Sequence, residues 1–543
     1  MVAVVAVVAA AGCGRTPVWI RPSDDLGGTG GSESDGPGMT ETSAGSTGMD
    51  VVECDPTLDT CPIELKLRRA VDILFVVDNS GSMGGEQGTL AQSFASFVDV
   101  LESQQVGANY RIGVTTTAGD GILRATSCRS RLQDFVFSWQ FGDLDERQRG
   151  CLDHCDHDVL DIPQPWVEKS EGATNLPPGV SMTEALQCIG PPGINGPGYE
   201  SPLESMRMVI EDPTSGFLRQ DALLAVIFLT DEADCSASFE EQSWLGAEGV
   251  PFWTTPERST SGACWNAGVT CTGGPGIYDD CVPQDKDRSG GITLDPEAAV
   301  LYPVQRYIDE INALAQKKQA EGGQGQVLLA LIAGVPLDYP ETGVIVYQDS
   351  DMPDFNIEYG IGPACDRGTE TVNDPPGIPD VRLRQVVESF ATDDPNVFSI
   401  CSDDYGVALE SIAAAIGDIS ERACVGGCVA DLAPDEGLQP DCALIERFAP
   451  DAGQADRLVA PCTVTDEGWD FPNANADACY RALVDVDGST PTTVDDMTSQ
   501  CITRGFNLEL LVERRPGVPI PSGTAIDVNC NLLAEPGIKC EDV

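Results

Sequence analysis

Apolar residues in this chain fall into short unbroken runs separated by stretches with helical spacing. Val71–Val77 is nearly all apolar, as a strand covered on both faces must be. Gln87–Ser103 then places Leu90, Phe94, Phe97, Val98 and Leu101 on one helical face. The alternation continues with a strand at Tyr110–Thr116, a short edge strand at Gln133–Phe137, a helix at Ser201–Ile210 and a strand at Ala222–Thr230. A long helix at Ala298–Lys318 and a strand at Gln326–Ala333 follow. The series ends with a helix at Val381–Phe390, an edge strand at Asn396–Ile400 and a helix at Tyr405–Ile419. Strand–helix alternation of this kind predicts an α/β fold with a doubly wound, mostly parallel sheet spanning 65–423. Cysteine-rich insertions are expected at 128–188 and 235–297. From Cys424 the pattern changes to turns, eight cysteines and one hairpin-like run, Phe506–Glu513. That predicts a smaller, disulfide-held, strand-rich module over 424–543.

Length and composition sharpen this picture. At 543 residues the chain exceeds what one core accommodates. Its 87 acidic against 31 basic residues give a net charge of −56, which excludes nucleic acid as a partner and favours divalent cations as counter-ions. Val2–Ala11 is a short apolar segment ending in Ala10-Ala-Gly-Cys13, and residues 14–52 are a Gly/Ser/Thr/Asp spacer too polar to bury a core. The ending resembles a bacterial lipobox, with Ala where Leu is usual. Cys13 is therefore the expected lipid anchor, in an outer-membrane lipoprotein facing the periplasm or the cell surface. No Lys or Arg precedes the apolar segment, which implies a natural start further upstream. Setting Cys13 aside from the 21 cysteines leaves an even number, as disulfides in an oxidising compartment require. Cys54 and Cys61 bracket a loop short enough for a local pair.

The candidate chemistry sits where the first strand ends. Asp78-Asn-Ser80-Gly-Ser82 places one carboxylate and two hydroxyls within five residues, at the strand end where open α/β sheets bind ligands. Hard oxygens in this density suit Mg²⁺, or Mn²⁺ or Ca²⁺ in its place. Asp231 stands at the end of the second long apolar strand. The competing reading is an Asp that caps a helix beside turn-forming serines.

At these residues the chain resembles the von Willebrand factor A family, whose metal-ion-dependent adhesion site begins with D-x-S-x-S. The resemblance implies direct contacts from Ser80 and Ser82 and a water-mediated one from Asp78. It also implies an Asp from a later loop, which is Asp231, and a Thr from another. Two loops compete for that place: Gly172-Ala-Thr174-Asn carries the usual wording, whereas Glu200 opens the helix that leads directly into the Asp231 strand. Glu200 is favoured, because reaching that strand from Thr174 needs an extra proline-broken excursion. A Glu there holds the cation tighter and leaves it less electrophilic. Thr230-Asp-Glu232-Ala-Asp234-Cys235-Ser, with Gly216-Phe-Leu-Arg219 before it, further resembles cysteine-rich bacterial lipoproteins with A-type domains. Glu232 and Asp234 are either supporting acceptors or solvated charge.

Two weaker constellations remain. Asp285, Asp287 and Ser289, with Gly290 and Ile292, open like a calcium loop, but Pro296 stands where its closing Glu belongs, which favours an ordinary Asp/Gly turn. His154 and His157, the only two histidines, lie in Cys151–Asp158 among Asp and Cys. A transition-metal site is the sharp reading there and an acidic surface loop the preferred one. No P-loop, H-E-x-x-H or G-x-S-x-G pattern occurs, so no enzyme is expected. The expected function is metal-dependent binding of a protein or other macromolecule through an acidic or carbonyl oxygen. The alternative is an envelope protein that cations and disulfides merely stabilise; a metal-dependent hydrolase ranks last.

Overall fold

The computed structural model describes residues 60–533, apart from short segments of which the longest are 238–250, 486–494, 369–376, 433–438 and 321–325. The expected lipid anchor Cys13, the spacer and Cys54 lie outside the described residues. Twenty strands are present among those described. In chain order they are β1 (Thr60–Arg68), β2 (Ala70–Val77), β3 (Asn109–Thr116), β4 (Val136–Trp139), β5 (Gly142–Asp145), β6 (Trp166–Ser170), β7 (Ala173–Thr174), β8 (Leu223–Leu229), β9 (Val269–Gly273) and β10 (Tyr278–Pro283). They continue with β11 (Val327–Ala333), β12 (Val397–Ser399), β13 (Arg422–Cys424), β14 (Cys442–Arg447), β15 (Arg457–Pro461), β16 (Thr463–Thr465), β17 (Gly468–Asp470), β18 (Ala478–Leu483), β19 (Glu509–Arg514) and β20 (Ala525–Leu533). The helices are α1 (Gly84–Leu101), α2 (Met182–Ile189), α3 (Pro202–Glu211), α4 (Gly262–Gly268), α5 (Val304–Ala320), α6 (Tyr339–Thr342), α7 (Pro353–Tyr359), α8 (Val381–Glu388) and α9 (Gly406–Ser420).

The expected class, a doubly wound α/β chain with a smaller appended module, is corrected. The molecule is strand-rich and carries two seven-stranded sheets of mixed pairing, together with three two-stranded ribbons. In the first sheet, ordered β12-β11-β8-β2-β3-β6-β7, five parallel strands are extended by antiparallel β6 and β7. The second, ordered β1-β20-β14-β15-β18-β19-β13, is antiparallel except between β15 and β18. Its two edge strands, β1 and β13, approach each other, so the sheet curls toward closure around Leu67, Leu444, Leu510 and Val528. The second sheet thus equals the first in strand number. Its strands are short and broken by turns, which weakens any period-2 signal in the sequence.

Four local expectations change with the class. Residues 65–68, assigned to the first module, belong to β1, which pairs with β20 from the far end of the chain. Gln133–Phe137 is no edge strand of the main sheet: residues 128–135 form a 3₁₀ helix, and β4 pairs only with β5. Phe506–Glu513 is no hairpin, since β19 pairs with the earlier strands β13 and β18. The long helix begins at Val304 instead of Ala298, because Val300 and Tyr302 donate backbone hydrogen bonds to Lys286 and Ser236 in the insertion.

Around β2 the first sheet is buried on both faces. Ile73, Phe75 and Val77 face α1 and α9, while Leu74 and Val76 face α3, α5 and α8. Phe75 meets Phe94 and Phe97 edge-on at centroid distances of 5.3 and 5.6 Å, which fixes α1 over the sheet. Eight disulfides are formed among the described residues: 128–151, 155–188, 235–264, 271–281, 365–401, 424–501, 442–530 and 462–479. They place the protein in an oxidising, extracytoplasmic setting. Among the described residues no helix is long and apolar enough to cross a membrane.

In the second sheet the buried acid Glu446 lies between Arg457 and Arg514. Replacing Glu446 by Ala removes the partner that the two guanidinium groups share, leaves Arg457 with Asp477 and Arg514 with Glu421, and is expected to cost about 1–3 kcal/mol, read as an earlier urea transition. An unchanged midpoint would show that the network does not hold this sheet together.

Candidate metal centre

The parallel register of β2 and β8 carries past the strand ends. The Asp78 amide donates to the Leu229 carbonyl at 2.9 Å, and the Thr230 amide to Ile332 at 3.2 Å, so Asp78 and Asp231 emerge side by side. The Asp78 carboxylate is oriented by its own turn and by β8: Oδ1 accepts from the Ser80 amide at 2.8 Å and Oδ2 from the Thr230 hydroxyl at 2.6 Å. The Ser80 and Ser82 hydroxyls lie 3.0 Å apart. Beneath them Gln87 of α1 donates to the Asp78 and Gly193 carbonyls at 2.8 and 2.7 Å and accepts from the Gly193 amide at 3.0 Å. One neutral side chain therefore ties the turn to the loop that leads toward Glu200.

Glu200 arrives from that loop. Its carbonyl accepts from Cys235 at 2.6 Å, and the next amide, Ser201, donates to Thr117 at 2.9 Å. The Cys235–Cys264 disulfide anchors the outer side of this junction. Thr117, directly beyond β3, donates its hydroxyl to Glu200 Oε2. Asp78, Glu200 and Asp231 are 0, 1 and 3 % exposed, and Glu232 joins them at 8 %. The favoured set Asp78, Ser80, Ser82, Glu200 and Asp231 is thus assembled in one crevice. Thr174 is not part of it: it lies exposed on edge strand β7, opposite Lys169.

The electrostatics are those of crowded acids without a counter-charge. Burial, followed by repulsion from Asp78 and Glu232, holds both Glu200 and Asp231 well above the usual carboxylate range. Burial pushes Asp78 up to about 6 against the donors Thr230 and Ser80, and burial with Asp78 nearby pushes Glu232 up to about 8. Among the described residues no basic side chain pairs with any of the four; Arg367 is directed to Glu86 at 2.6 Å. Glu200 Oε1 and Asp231 Oδ1 are buried and accept no hydrogen bond. Buried acceptors of this kind are costly unless something positive reaches them. Three carboxylates and two hydroxyls form a hard-oxygen donor set, so the residues present fit a divalent cation.

Sequence reasoning missed Thr117 and Thr230, whose one signal is a hydroxyl at the carboxyl end of a strand. Glu232 proves to be a member of the crevice. Asp234 instead pairs with Arg382 at 3.0 Å in the interior. The Asp287 carboxylate is engaged by its own turn, accepting from the Ser289 amide and hydroxyl at 2.8 and 2.6 Å and from Gly291 at 3.1 Å. Residues 285–291 therefore form an Asp/Gly turn, while Lys286 reaches the Asn266 and Val269 carbonyls. Cys151 and Cys155 beside His154 and His157 are oxidised, which removes thiolates from any metal set there. Asp485, Asp495 and Asp496 bring carboxylate oxygens within 4.8 Å of one another, a gathering that no sequence motif announced.

No family model matches the sequence, and no curated protein matches it. Among solved structures the chain is similar to the pilus adhesin SpaC from Lactobacillus rhamnosus GG in its open conformation, at 10 % identity and a TM-score of 0.26. The match covers 87 % of this chain and 41 % of that protein, so the chain spans less than half its length.

A carboxyl whose pKa is raised by folding stabilises the fold while it is protonated. That contribution is complete below the unfolded value and is lost as pH rises through the folded one. For Asp78 this window runs from 3.8 to about 6, and for Glu232 from 4.5 to about 8. With chelator present, the melting temperature is expected to fall steadily from pH 4 to pH 8. A flat profile would mean that the crevice does not concentrate charge.

Proposed function

We propose that this is an exported binding protein whose Asp78, Ser80, Ser82, Glu200 and Asp231 hold one divalent cation, Mg²⁺ or in its place Mn²⁺ or Ca²⁺. The observation that carries the reading is the pair of buried, unpartnered carboxylate oxygens, Glu200 Oε1 and Asp231 Oδ1, in the crevice that also holds the two serine hydroxyls. A bound cation supplies a Lewis-acidic point to which an oxygen of another macromolecule attaches. The residues of the chain do the rest. Thr230 and the Ser80 amide fix the Asp78 carboxylate, Thr117 turns Glu200, and the Gln87 bridge keeps α1 and the Glu200 loop together. This is the manner of the von Willebrand factor A family, with Glu200 in the place of a Thr. The reading is one of binding, not of turnover, and it is compatible with tethering through Cys13 as an outer-membrane lipoprotein. The disulfides support the exported setting that such a role requires.

The experiment is metal titration by calorimetry and thermal melting, on the wild type and on Asp231→Ala. The wild type is expected to take up one equivalent of Mg²⁺ or Ca²⁺ at this site and to melt several degrees higher, roughly as ligand linkage requires at concentrations well above Kd. Asp231→Ala is expected to lose that uptake while melting no lower than the wild type in chelator, since it removes one of the repelling charges. Equal uptake in the two proteins would place the ion elsewhere. Uptake that stabilises the wild type while no macromolecule is retained in a metal-dependent way would favour a purely structural cation.

A further inference from the structure

At the end of the first sheet opposite the metal centre lies a cavity of about 670 Å³. It is enclosed by the last turn of α3, the loop 212–220 and the C-terminal half of α5, before the amino end of β8. The seven residues of β8 separate that end from Asp231, roughly 20 Å at about 3.3 Å per residue. A volume of this size holds a small organic molecule. We propose that the cavity binds an amphipathic monoanion, an apolar body carrying a single carboxylate, and that Lys317 receives the charged end. The site is separate from the divalent centre and does not depend on it.

The walls are fixed by the protein itself. Buried Lys318 of α5 donates to the Arg219 and Ala222 carbonyls, the latter at 2.8 Å, which holds the loop against the helix. Arg219 is turned inward: its amide and Nε donate to Asp72 at 2.6 and 2.8 Å, and Nη2 donates to the Val71 carbonyl at 2.8 Å. Ile210, Leu218 and Leu314 supply an apolar wall, and the last two are only partly covered by the core beneath. An apolar ligand removes more of their area from water. Charge then selects its head group. Each of the three acids on the wall is already engaged. Glu211 pairs with Arg207 one turn earlier, and Glu310 with Arg306 at 3.2 Å and Arg207 at 3.5 Å. Asp212 Oδ1 accepts from the Thr214 amide and hydroxyl at 2.8 and 2.6 Å. Lys317 differs from the other two bases: it is exposed in the last turn of α5, and among the described residues no acid or carbonyl pairs with it. It therefore offers a positive charge beside an apolar wall, in a chain whose net charge of −56 otherwise repels anions. A cationic amphiphile finds no unengaged acid here, and a neutral one leaves the ammonium without a partner.

The test is calorimetric titration of the full chain in chelator, so that no divalent cation contributes. Octanoate represents an acyl carboxylate and N-acetyl-leucylphenylalanine a peptide C terminus, while octanol and octyltrimethylammonium carry no charge and the opposite one. One of the two carboxylates is expected to bind saturably at one site per chain, about fivefold tighter than octanol and tighter still than the cation. Which carboxylate does so separates an acyl from a peptide source. Lys317→Gln is expected to weaken that binding roughly fivefold, as loss of an ion pair at an exposed lysine predicts. Ala313→Trp, at an exposed position that lines the same cavity, is expected to abolish it by filling the space. Both positions are exposed on α5, so the two variants are expected to melt with the wild type. Binding of octanol or octyltrimethylammonium as tight as that of the carboxylates overturns the inference. So does saturable binding of neither carboxylate, or an affinity unchanged in either variant.

Discussion

Like charge held together by the sheet is the constraint on which the rest of the site depends. The backbone bond from Asp78 to Leu229 keeps the ends of β2 and β8 in register, and register alone forces two carboxylates into one crevice. Nothing local favours that meeting. It is maintained because the strands beneath are buried on both faces, with Ile73, Phe75 and Val77 on one side and Leu74 and Val76 on the other, and slippage would expose all of them. The core thus stabilises an arrangement that electrostatics opposes, which is the usual condition of a functional centre.

The insertions that interrupt the first sheet contribute to the same end. Cys235 donates its amide to the Glu200 carbonyl and is locked to Cys264, so the loop carrying Glu200 is braced from outside the sheet. The 128–188 insertion lays Phe137 over Gly81 and is itself tied at Cys128–Cys151 and Cys155–Cys188. Disulfides here restrict loops that carry little core of their own, a role suited to the setting in which they form. The second sheet is joined just as firmly: β1 runs into β2 after one residue, α9 runs into β13, and Gln326 at the start of β11 donates to the Arg422 carbonyl at 2.6 Å. Chain ends far apart in sequence meet in β1 and β20, so the second sheet closes only when the whole length between them has folded.

Much of the local structure was legible in the sequence. The runs at Val71–Val77 and Ala222–Thr230 are strands and Gln87–Ser103 lies largely in α1, because apolar periodicity reflects which faces a segment buries. The Asp78-Asn-Ser80-Gly-Ser82 turn was legible too, being contiguous. The class built from these parts was not legible. Pairing between β1 and β20 and the mixed second sheet are decided by contacts across long stretches of chain, and no short window of sequence contains them. Thr174 illustrates the same limit, for its local wording suited the site while its strand pairing placed it at the far edge.

What the sequence by itself determined is therefore chemical: an acidic, disulfide-bearing chain with hard oxygens at the ends of two buried strands. What the tertiary structure decided is which of those oxygens meet. Thr117 and Glu232 joined the site, Asp234 turned inward to Arg382, and Asp287 Oδ1 was engaged by its own turn. The physical reason is that residue type sets what a side chain can bind, whereas burial and register, which depend on the whole fold, set what it faces.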